Sequence, residues 1–599
     1  MSEFNLKIKA SIQQNISDKQ IATTCAQLLT KSDFWSVANL LGEYYNYHPV
    51  SLEVTVFCKE IIVQIREFMG AQARTSQNST MVVFGTSGWR GRIGEDFTVL
   101  NVHKVSKAII DMMNSSEFLQ TNQYSNFEEV KEKGIIVFRD NRFMGEEFMD
   151  AAMKELASVG IKIYLAGECP TGIGSALVAE LKAAGSFNFT PSHNPMDYAG
   201  LKFNPADGGP ADANLTAIIM AETVKYMKEN SDFRPANIQY SVKVIDAGKI
   251  YINFLNKSKI FNIEAIKKYL QSIKNDLFLA IDNMHGSSRG YVQQILGEDL
   301  TNELLKSNSL AFVNTVDDYS FHGVKPEPSA TNMLSIIKLA KDSGRSKTLV
   351  VALDPDGDRI RFGTSNSDID MNKFGAIAYA SLLDAGTKGP IASSLPTSDF
   401  ALAIAQAEGQ KIYETKVGFK WFRPYRDALL CFEESDGIST MGHTLEKDAI
   451  AGLLLALNVM MTTGKTIADY YLELQERYGF YYPEKKGVDV LGVSVEEWQS
   501  YKKNVLKALQ EKLYKTGDSL LINNTSKIIS RINIDDGLKI TFEDNSWILL
   551  RPSGTEPKFR IYYEVTSKVK LLNPQPILEG YFNAGLQILD KARLIAASN

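Results

Sequence analysis

From Met81 onward the chain alternates short apolar runs of strand length with stretches of helical periodicity, and this alternation is the strongest constraint on its fold. Val82-Val83-Phe84, Gly134 to Phe138 and Ile161 to Leu165 read as strands, and Glu146 to Val159 reads as a helix between two of them. Strands separated by helices predict α/β layers. A chain of 599 residues is too long for one core, and at about 150 residues per domain it divides roughly four ways. The shifts in pattern place α/β blocks at 81–262, 263–375 and 376–478 and a final block at 479–599, which carries hairpin-like strands around Lys527 to Ile532 and Leu538 to Phe542.

Residues 1–80 have another character. Ile21, Cys25, Leu28 and Leu29 share one helical face, Val54, Phe57, Ile61, Ile65 and Phe68 another, and polar residues follow from Thr75 to Thr80. The expectation is a helical appendage on a flexible linker, serving packing or homo-oligomer contacts and carrying no chemistry of its own.

Composition excludes several classes of partner. A net charge of -5 gives no footprint for nucleic acid. No run approaches the roughly 18 apolar residues of a spanning helix, so no membrane partner is expected. Cys25, Cys58, Cys169 and Cys431 are dispersed, without metal or disulfide spacing, which fits buried thiols in a reducing cytoplasm.

Five loops carry the candidate chemistry. In Thr190-Pro191-Ser192-His193-Asn194-Pro195, a serine between prolines cannot lie in a helix or central strand, so Ser192 is expected on a tight, exposed turn with Lys202 able to fold back beside it. Gly85 to Gly91 can turn backbone amides toward an anion while Arg90 points inward. An apolar strand from Lys347 to Leu353 opens onto Asp354-Pro355-Asp356-Gly357-Asp358-Arg359, whose alternate carboxylates repel one another unless a cation joins them. This loop is not an EF-hand, because Arg359 and Ser365 stand where glycine and glutamate are needed. Glu433-Glu434-Ser435-Asp436-Gly437 can accept hydrogen bonds from vicinal sugar hydroxyls, with Lys447 within reach of a phosphate. Arg551-Pro552-Ser553-Gly554-Thr555, closed by Arg560, combines guanidinium, hydroxyl and amide donors as a phosphate clamp. Gly172 and Gly174 lack the third glycine of a dinucleotide fingerprint.

Taken in chain order, the five loops resemble those of the α-D-phosphohexomutase superfamily over residues 81–599, and Phe84 to Gly88 with the Thr-Pro-Ser-His-Asn-Pro form looks most like its phosphoglucomutase branch. The resemblance implies three similar α/β domains and a C-terminal α+β domain, here with an added N-terminal helical extension. It implies that Ser192 is a phosphoserine and that its phosphate, with Asp354, Asp356 and Asp358, holds one Mg²⁺. Arg90, Lys202 and His193 would serve proton transfer and the phosphate environment. Glu433 and Ser435 would read the sugar, the loop from Arg551 through Ser553, Gly554 and Thr555 to Arg560 would hold the distal phosphate, and Arg359, Gly418, Lys420 and Lys447 would complete substrate binding. The implied reaction interconverts glucose 1-phosphate and glucose 6-phosphate through glucose 1,6-bisphosphate. A mannose- or glucosamine-phosphate mutase and a non-catalytic scaffold are the alternatives. The sugar loop lacks the histidine that follows it in the dual-specificity branch, which disfavours mannose.

Overall fold

The computed structural model describes residues 3–77, 80, 82–85, 88–228, 233–511, 513–554 and 557–598, so Met81, Thr86, Ser87 and the clamp candidate Thr555 lie outside the described residues. The chain forms two compact units, Met1–Asp368 with Gly442–Leu455, and Ile369–Met441 with Ala456–Asn599.

The first unit begins with four helices, α1 (Glu3–Asn15), α2 (Lys19–Thr30), α3 (Phe34–Tyr47) and α4 (Leu52–Thr75). Side-chain caps start three of them: Asp18 accepts from the Gln20 and Ile21 amides, Asp33 from Ser36, and Ser51 from Val54. The expected N-terminal helical extension is present, and it packs against the domain that follows; Asn78 and Ser79 of the expected linker lie outside the described residues. Ile8, Ile12, Leu29, Trp35, Leu41 and Ile65 share one continuous core with Trp89, Phe97, Val105 and Ile109 of the α/β domain that follows. Trp35, fully buried, donates its indole N–H to the Ile93 carbonyl at 2.7 Å. Arg92 joins Asp33 at 2.8 Å to Asp197 at 3.0 Å, tying α3 to the segment just after Ser192. At the other end of α3 the backbones of Gly42 and Gly323 touch: a Cβ on Gly42 would lie 2.6 Å from the Gly323 Cα, and Gly323 itself has φ +76°.

The first sheet contains β1 (Phe84–Gly85), β2 (Gly88–Arg92), β3 (Ile135–Arg139), β4 (Ile163–Glu168), β5 (Gly185–Phe189), β6 (Tyr198–Pro205) and β7 (Lys243–Val244), in the order β1-β2-β6-β5-β3-β4-β7. β3 runs parallel to β4 and β5, whereas β6 runs antiparallel to β5 and β2. The serine loop is therefore the β5–β6 connection. The second sheet contains β8 (Leu277–Asp282), β9 (Leu310–Val313), β10 (Lys347–Leu353), β11 (Ile360–Gly363) and β12 (Asp368–Ile369), in the order β12-β11-β10-β8-β9. The aspartate loop is the connection between β10 and its antiparallel neighbour β11. Both loops leave the carboxyl end of a strand, the end at which α/β sheets present their ligand-binding residues.

In the second unit β13 (Ile391–Ser394), β14 (Ile412–Thr415), β15 (Leu430–Glu433) and β16 (Gly437–Thr440) form a sheet in the order β14-β13-β15-β16. The last sheet is antiparallel, formed by β17 (Phe480–Asp489), β18 (Ser519–Ile522), β19 (Thr525–Asn533), β20 (Leu538–Phe542), β21 (Trp547–Pro552) and β22 (Lys558–Ser567) in the order β17-β22-β21-β20-β19-β18. Helices Val495–Gln510 and Gln575–Ser598 cover it, burying Trp498, Tyr581 and Ile588 against Phe542, Ile548 and Ile561. Among the described residues no single helix is long and apolar enough to cross a membrane. Cys25, Cys58 and Cys169 are buried, and Cys431 is half-buried.

Candidate active site

Ser192 is buried, 1% exposed, and this overturns the expectation of an exposed turn. Its backbone has φ +58°, a left-handed conformation that a residue with a side chain adopts at a cost. The surrounding hydrogen bonds hold it there. Its amide donates to Thr190 Oγ1 at 2.8 Å, and the Thr190 hydroxyl in turn donates to Asp140 at 2.6 Å. The Arg142 guanidinium, paired with Asp140 at 3.2 Å, donates to the Ser192 and Pro195 carbonyls at 2.6 Å each and also to that of Asn194. One arginine thus collects three carbonyls of the serine loop. Asp140 and Arg142 immediately follow β3, but nothing in their spacing revealed this role.

The Ser192 hydroxyl lies 3.0 Å from Asp354 Oδ2, to which it donates, and 3.2 Å from His193 Nδ1. Asp354, Asp356 and Asp358 are buried, with one oxygen from each lying within 4.8 Å of the others. Backbone amides of Asp358 and Arg359 donate to Asp354 at 3.0 Å each. Even so, burial and the charges of Asp356 and Asp358 hold the Asp354 carboxyl well above the usual range. Burial acts on Asp358 in the same sense, but Lys447 at 2.9 Å, Lys202 at 3.3 Å and the nearby Arg359 outweigh it and hold that carboxyl below the usual range. Lys202 also reaches Asp356 at 2.7 Å. Burial alone would lower its ammonium, but the two carboxylates raise it, so in this arrangement Lys202 is a fixed cation and not a neutral base. His193 is pushed down by burial and by Arg359 and Arg90, so its imidazole is neutral. Arg90, on β2, donates to Asn194 Oδ1 at 2.7 Å and so faces the serine loop.

Asp356 Oδ1 and Asp358 Oδ1 are buried and accept no hydrogen bond among the described residues. Two orphaned anionic oxygens beside the Asp354 carboxylate and the serine hydroxyl form an all-oxygen donor set, which is what a hard divalent cation such as Mg²⁺ takes. The residues present fit that ion.

Two supporting residues were not legible in the sequence. Thr171 receives Asp356 at both ends, its amide donating to the Asp356 carbonyl and its hydroxyl to the carboxylate, each at 2.8 Å. Glu446 is buried beside Lys447, its carboxyl raised chiefly by burial, and Asn204 donates to it at 3.4 Å.

The second unit gathers the remaining candidates. The Gly418 amide donates to Glu433 Oε1 at 2.6 Å, with Gly418 at φ +120°. Asp536, absent from the sequence expectations, accepts from the Val417 amide at 3.0 Å and from Arg551 Nε at 2.9 Å, linking the Gly418 loop to the arginine of the expected clamp. Arg560 lies opposite Arg551 across the β21–β22 ladder. The Ser553 carbonyl accepts from the buried Trp498 indole at 3.1 Å, and the Gly554 carbonyl from Lys502 at 2.8 Å. Ser435 is half-buried, Lys485 pairs with Glu434 at 3.1 Å, and Lys420 lies 5.6 Å from the centre of the Trp421 ring.

The sequence matches all four domains described for the phosphoglucomutase/phosphomannomutase family: alpha/beta/alpha domain I at residues 81–230, domain II at 249–366, domain III at 370–478 and the C-terminal domain at 494–573. Phosphoglucomutase-1 of Homo sapiens is 27% identical over 493 residues, covering 74% of this chain and 85% of the relative. The probable cytoplasmic phosphoglucomutase 2 of Arabidopsis thaliana is 27% identical over 531 residues, covering 75% of this chain and 88% of the relative. Among solved structures, a putative phosphomannomutase of Thermus thermophilus superposes with a TM-score of 0.65 at 22% identity, over 86% of this chain and all of that one. The open form of parafusin, a phosphoglucomutase of Paramecium, gives 0.65 at 21% identity, over 87% of this chain and 96% of that one.

Proposed function

We propose, from the premise that this chain belongs to the phosphoglucomutase/phosphomannomutase family, that it interconverts glucose 1-phosphate and glucose 6-phosphate. The observation that carries this reading is a buried serine hydroxyl, held in a left-handed turn and hydrogen-bonded into a buried carboxylate triad flanked by Lys202 and Lys447. A serine so placed can carry a phosphoryl group away from bulk water. That protection matters because a phosphoserine reached by water loses its phosphate to hydrolysis.

In this reading Ser192 donates its phosphate to the free hydroxyl of a hexose monophosphate, giving glucose 1,6-bisphosphate, and recovers the other phosphate when the bisphosphate is bound in the opposite sense. Asp354, Asp356, Asp358 and the phosphorylated Ser192 would hold Mg²⁺, which when bound supplies charge neutralisation to the transferring group. Arg142 fixes the loop so that the serine oxygen is already oriented, and orientation is worth several orders of magnitude in rate. Lys202 and Arg90 contribute positive charge to the phosphoryl environment, and His193, 3.2 Å from the Ser192 hydroxyl, lines it with a neutral imidazole. Glu433 and Ser435 accept and donate to sugar hydroxyls, and Arg551, Ser553, Gly554, Thr555 and Arg560 bind the phosphate that is not being transferred.

Intact-mass analysis combined with a coupled assay for glucose 6-phosphate, run with Mg²⁺ and a trace of glucose 1,6-bisphosphate, tests this. Phosphate on Ser192 and rapid turnover of glucose 1-phosphate are expected, with both lost in Ser192→Ala. Phosphoprotein that turns over mannose 1-phosphate faster than glucose 1-phosphate would overturn the choice of sugar, and normal turnover by Ser192→Ala would overturn the mechanism.

A further inference from the structure

We propose that His285, Asp318 and His322 form a second metal site, distinct from the aspartate loop and suited to a borderline transition cation of the Zn²⁺ class. One nitrogen of each imidazole and a carboxylate oxygen of Asp318 lie within 4.8 Å of one another, and the two rings meet edge to face with their centres 4.5 Å apart.

His285 is buried, 3% exposed, and its Nδ1 lies 2.8 Å from the Val316 carbonyl oxygen. A carbonyl can only accept, so Nδ1 carries the hydrogen and Nε2 presents a bare lone pair. That Nε2 is buried and has no hydrogen-bond partner among the described residues. An imidazole oriented through one nitrogen by a backbone carbonyl, with the other nitrogen unpartnered, is how a metal-binding histidine is commonly set up. Asp318 is positioned in the same manner: its carboxylate accepts from the Ser320 amide at 2.9 Å and the His322 amide at 3.0 Å, and His322 Nδ1 lies 3.3 Å from it. Two imidazole nitrogens and one carboxylate match Zn²⁺ and its neighbours, whereas Mg²⁺ prefers the all-oxygen aspartate loop.

The location gives such a site a consequence. The His322 carbonyl accepts from Asn46 of α3, so one ligand sits where the N-terminal helices dock. The carbonyl of the other, His285, accepts from the Asn141 side-chain amide, and two residues later Ser287 donates its amide to the Pro355 carbonyl at 2.7 Å, inside the aspartate loop. A cation here staples the extension to the segment that braces Asp354 and Asp356.

The test uses the full chain in saturating Mg²⁺, so that the aspartate loop is occupied, with Co²⁺ as the spectroscopic probe and Zn²⁺ content measured after dialysis. Wild type and Asp356→Asn are expected to bind one equivalent with a visible ligand-field band. His322→Ala, at a half-exposed position, should bind at least about tenfold more weakly, and His285→Gln likewise. Zn²⁺ should raise the unfolding temperature of wild type and not that of His322→Ala. Absence of Co²⁺ binding under Mg²⁺, or equal binding by His322→Ala, would overturn the proposal. Because the readout is metal content and spectrum, the result stands apart from whether the protein is a glucose mutase.

Discussion

Truncating Trp35 measures how far the N-terminal helices belong to the first unit. An indole buries about 150–250 Å² of surface, which at about 25 cal/mol per Å² corresponds to about 4–6 kcal/mol of transfer free energy. Large-to-small changes at such sites cost about 3–5 kcal/mol. Trp35→Ala also leaves the Ile93 carbonyl without its 2.7 Å donor, a further cost of about 1–3 kcal/mol. We therefore expect Trp35→Ala to destabilise the first unit by about 4–8 kcal/mol, and Trp35→Phe, which retains most of the apolar volume but loses the donor, by about 2–3 kcal/mol. Scanning calorimetry is the appropriate assay, because a chain with two units need not unfold in one step. The endotherm assigned to the first unit should fall by several degrees in Trp35→Ala and by about half as much in Trp35→Phe, while that of the second unit stays in place. If Trp35→Ala left the first endotherm within about 2 °C of wild type, the helices would be an independently folding appendage and the shared core would carry no weight.

Asp354→Asn should remove the stabilisation conferred by Mg²⁺, which for wild type reaches about 2.7 kcal/mol at a hundredfold excess over Kd, while leaving the metal-free protein as stable or more so, because a repelled carboxylate becomes neutral; a thermal-shift titration with Mg²⁺ reads both. Glu564, buried beside Asp399, has its carboxyl pushed up to about 8 by that burial and by the neighbouring charge. A folded-state value raised above the unfolded one stabilises at low pH, so the second unit should lose stability as pH rises from the ordinary glutamate range through about 8, and Glu564→Gln should flatten that dependence in urea melts at pH 5, 7 and 9. Arg551→Ala should lower kcat/KM by about 10- to 100-fold, the worth of a charge-assisted hydrogen bond to phosphate, mainly through KM in steady-state assays; unchanged kinetics would discredit the clamp.

Local signals made the strands and their loops legible. The run before Asp354 is apolar and strand-length, and three alternate carboxylates have few purposes other than a cation. What periodicity could not reveal is which surfaces cover which. Ile21 and Cys25 announce a helix, but nothing in their spacing says that the core it joins also contains Trp89 and Phe97. The error over Ser192 has the same origin: two flanking prolines exclude regular structure, and irregular backbone is usually exposed, yet here Arg142 satisfies the loop carbonyls and lets the turn be buried. Asp536 and Thr171 were missed because a single turn aspartate or helix-start threonine is indistinguishable from many others until the fold brings its partner close. The aspartate triad needed no such help, since its three members lie on one loop.

The contact between Gly42 and Gly323 has a consequence for how the protein can diverge. Most packed pairs drift together, one residue shrinking as the other grows. Here neither member has a side chain to surrender, and a Cβ on either falls within 3 Å of the other's backbone. Two positions far apart in the chain therefore behave as one genetic locus with a single permitted allele. Selection for revertants of Gly42→Ala should return glycine itself or changes that move α3, and no compensating substitution at position 323.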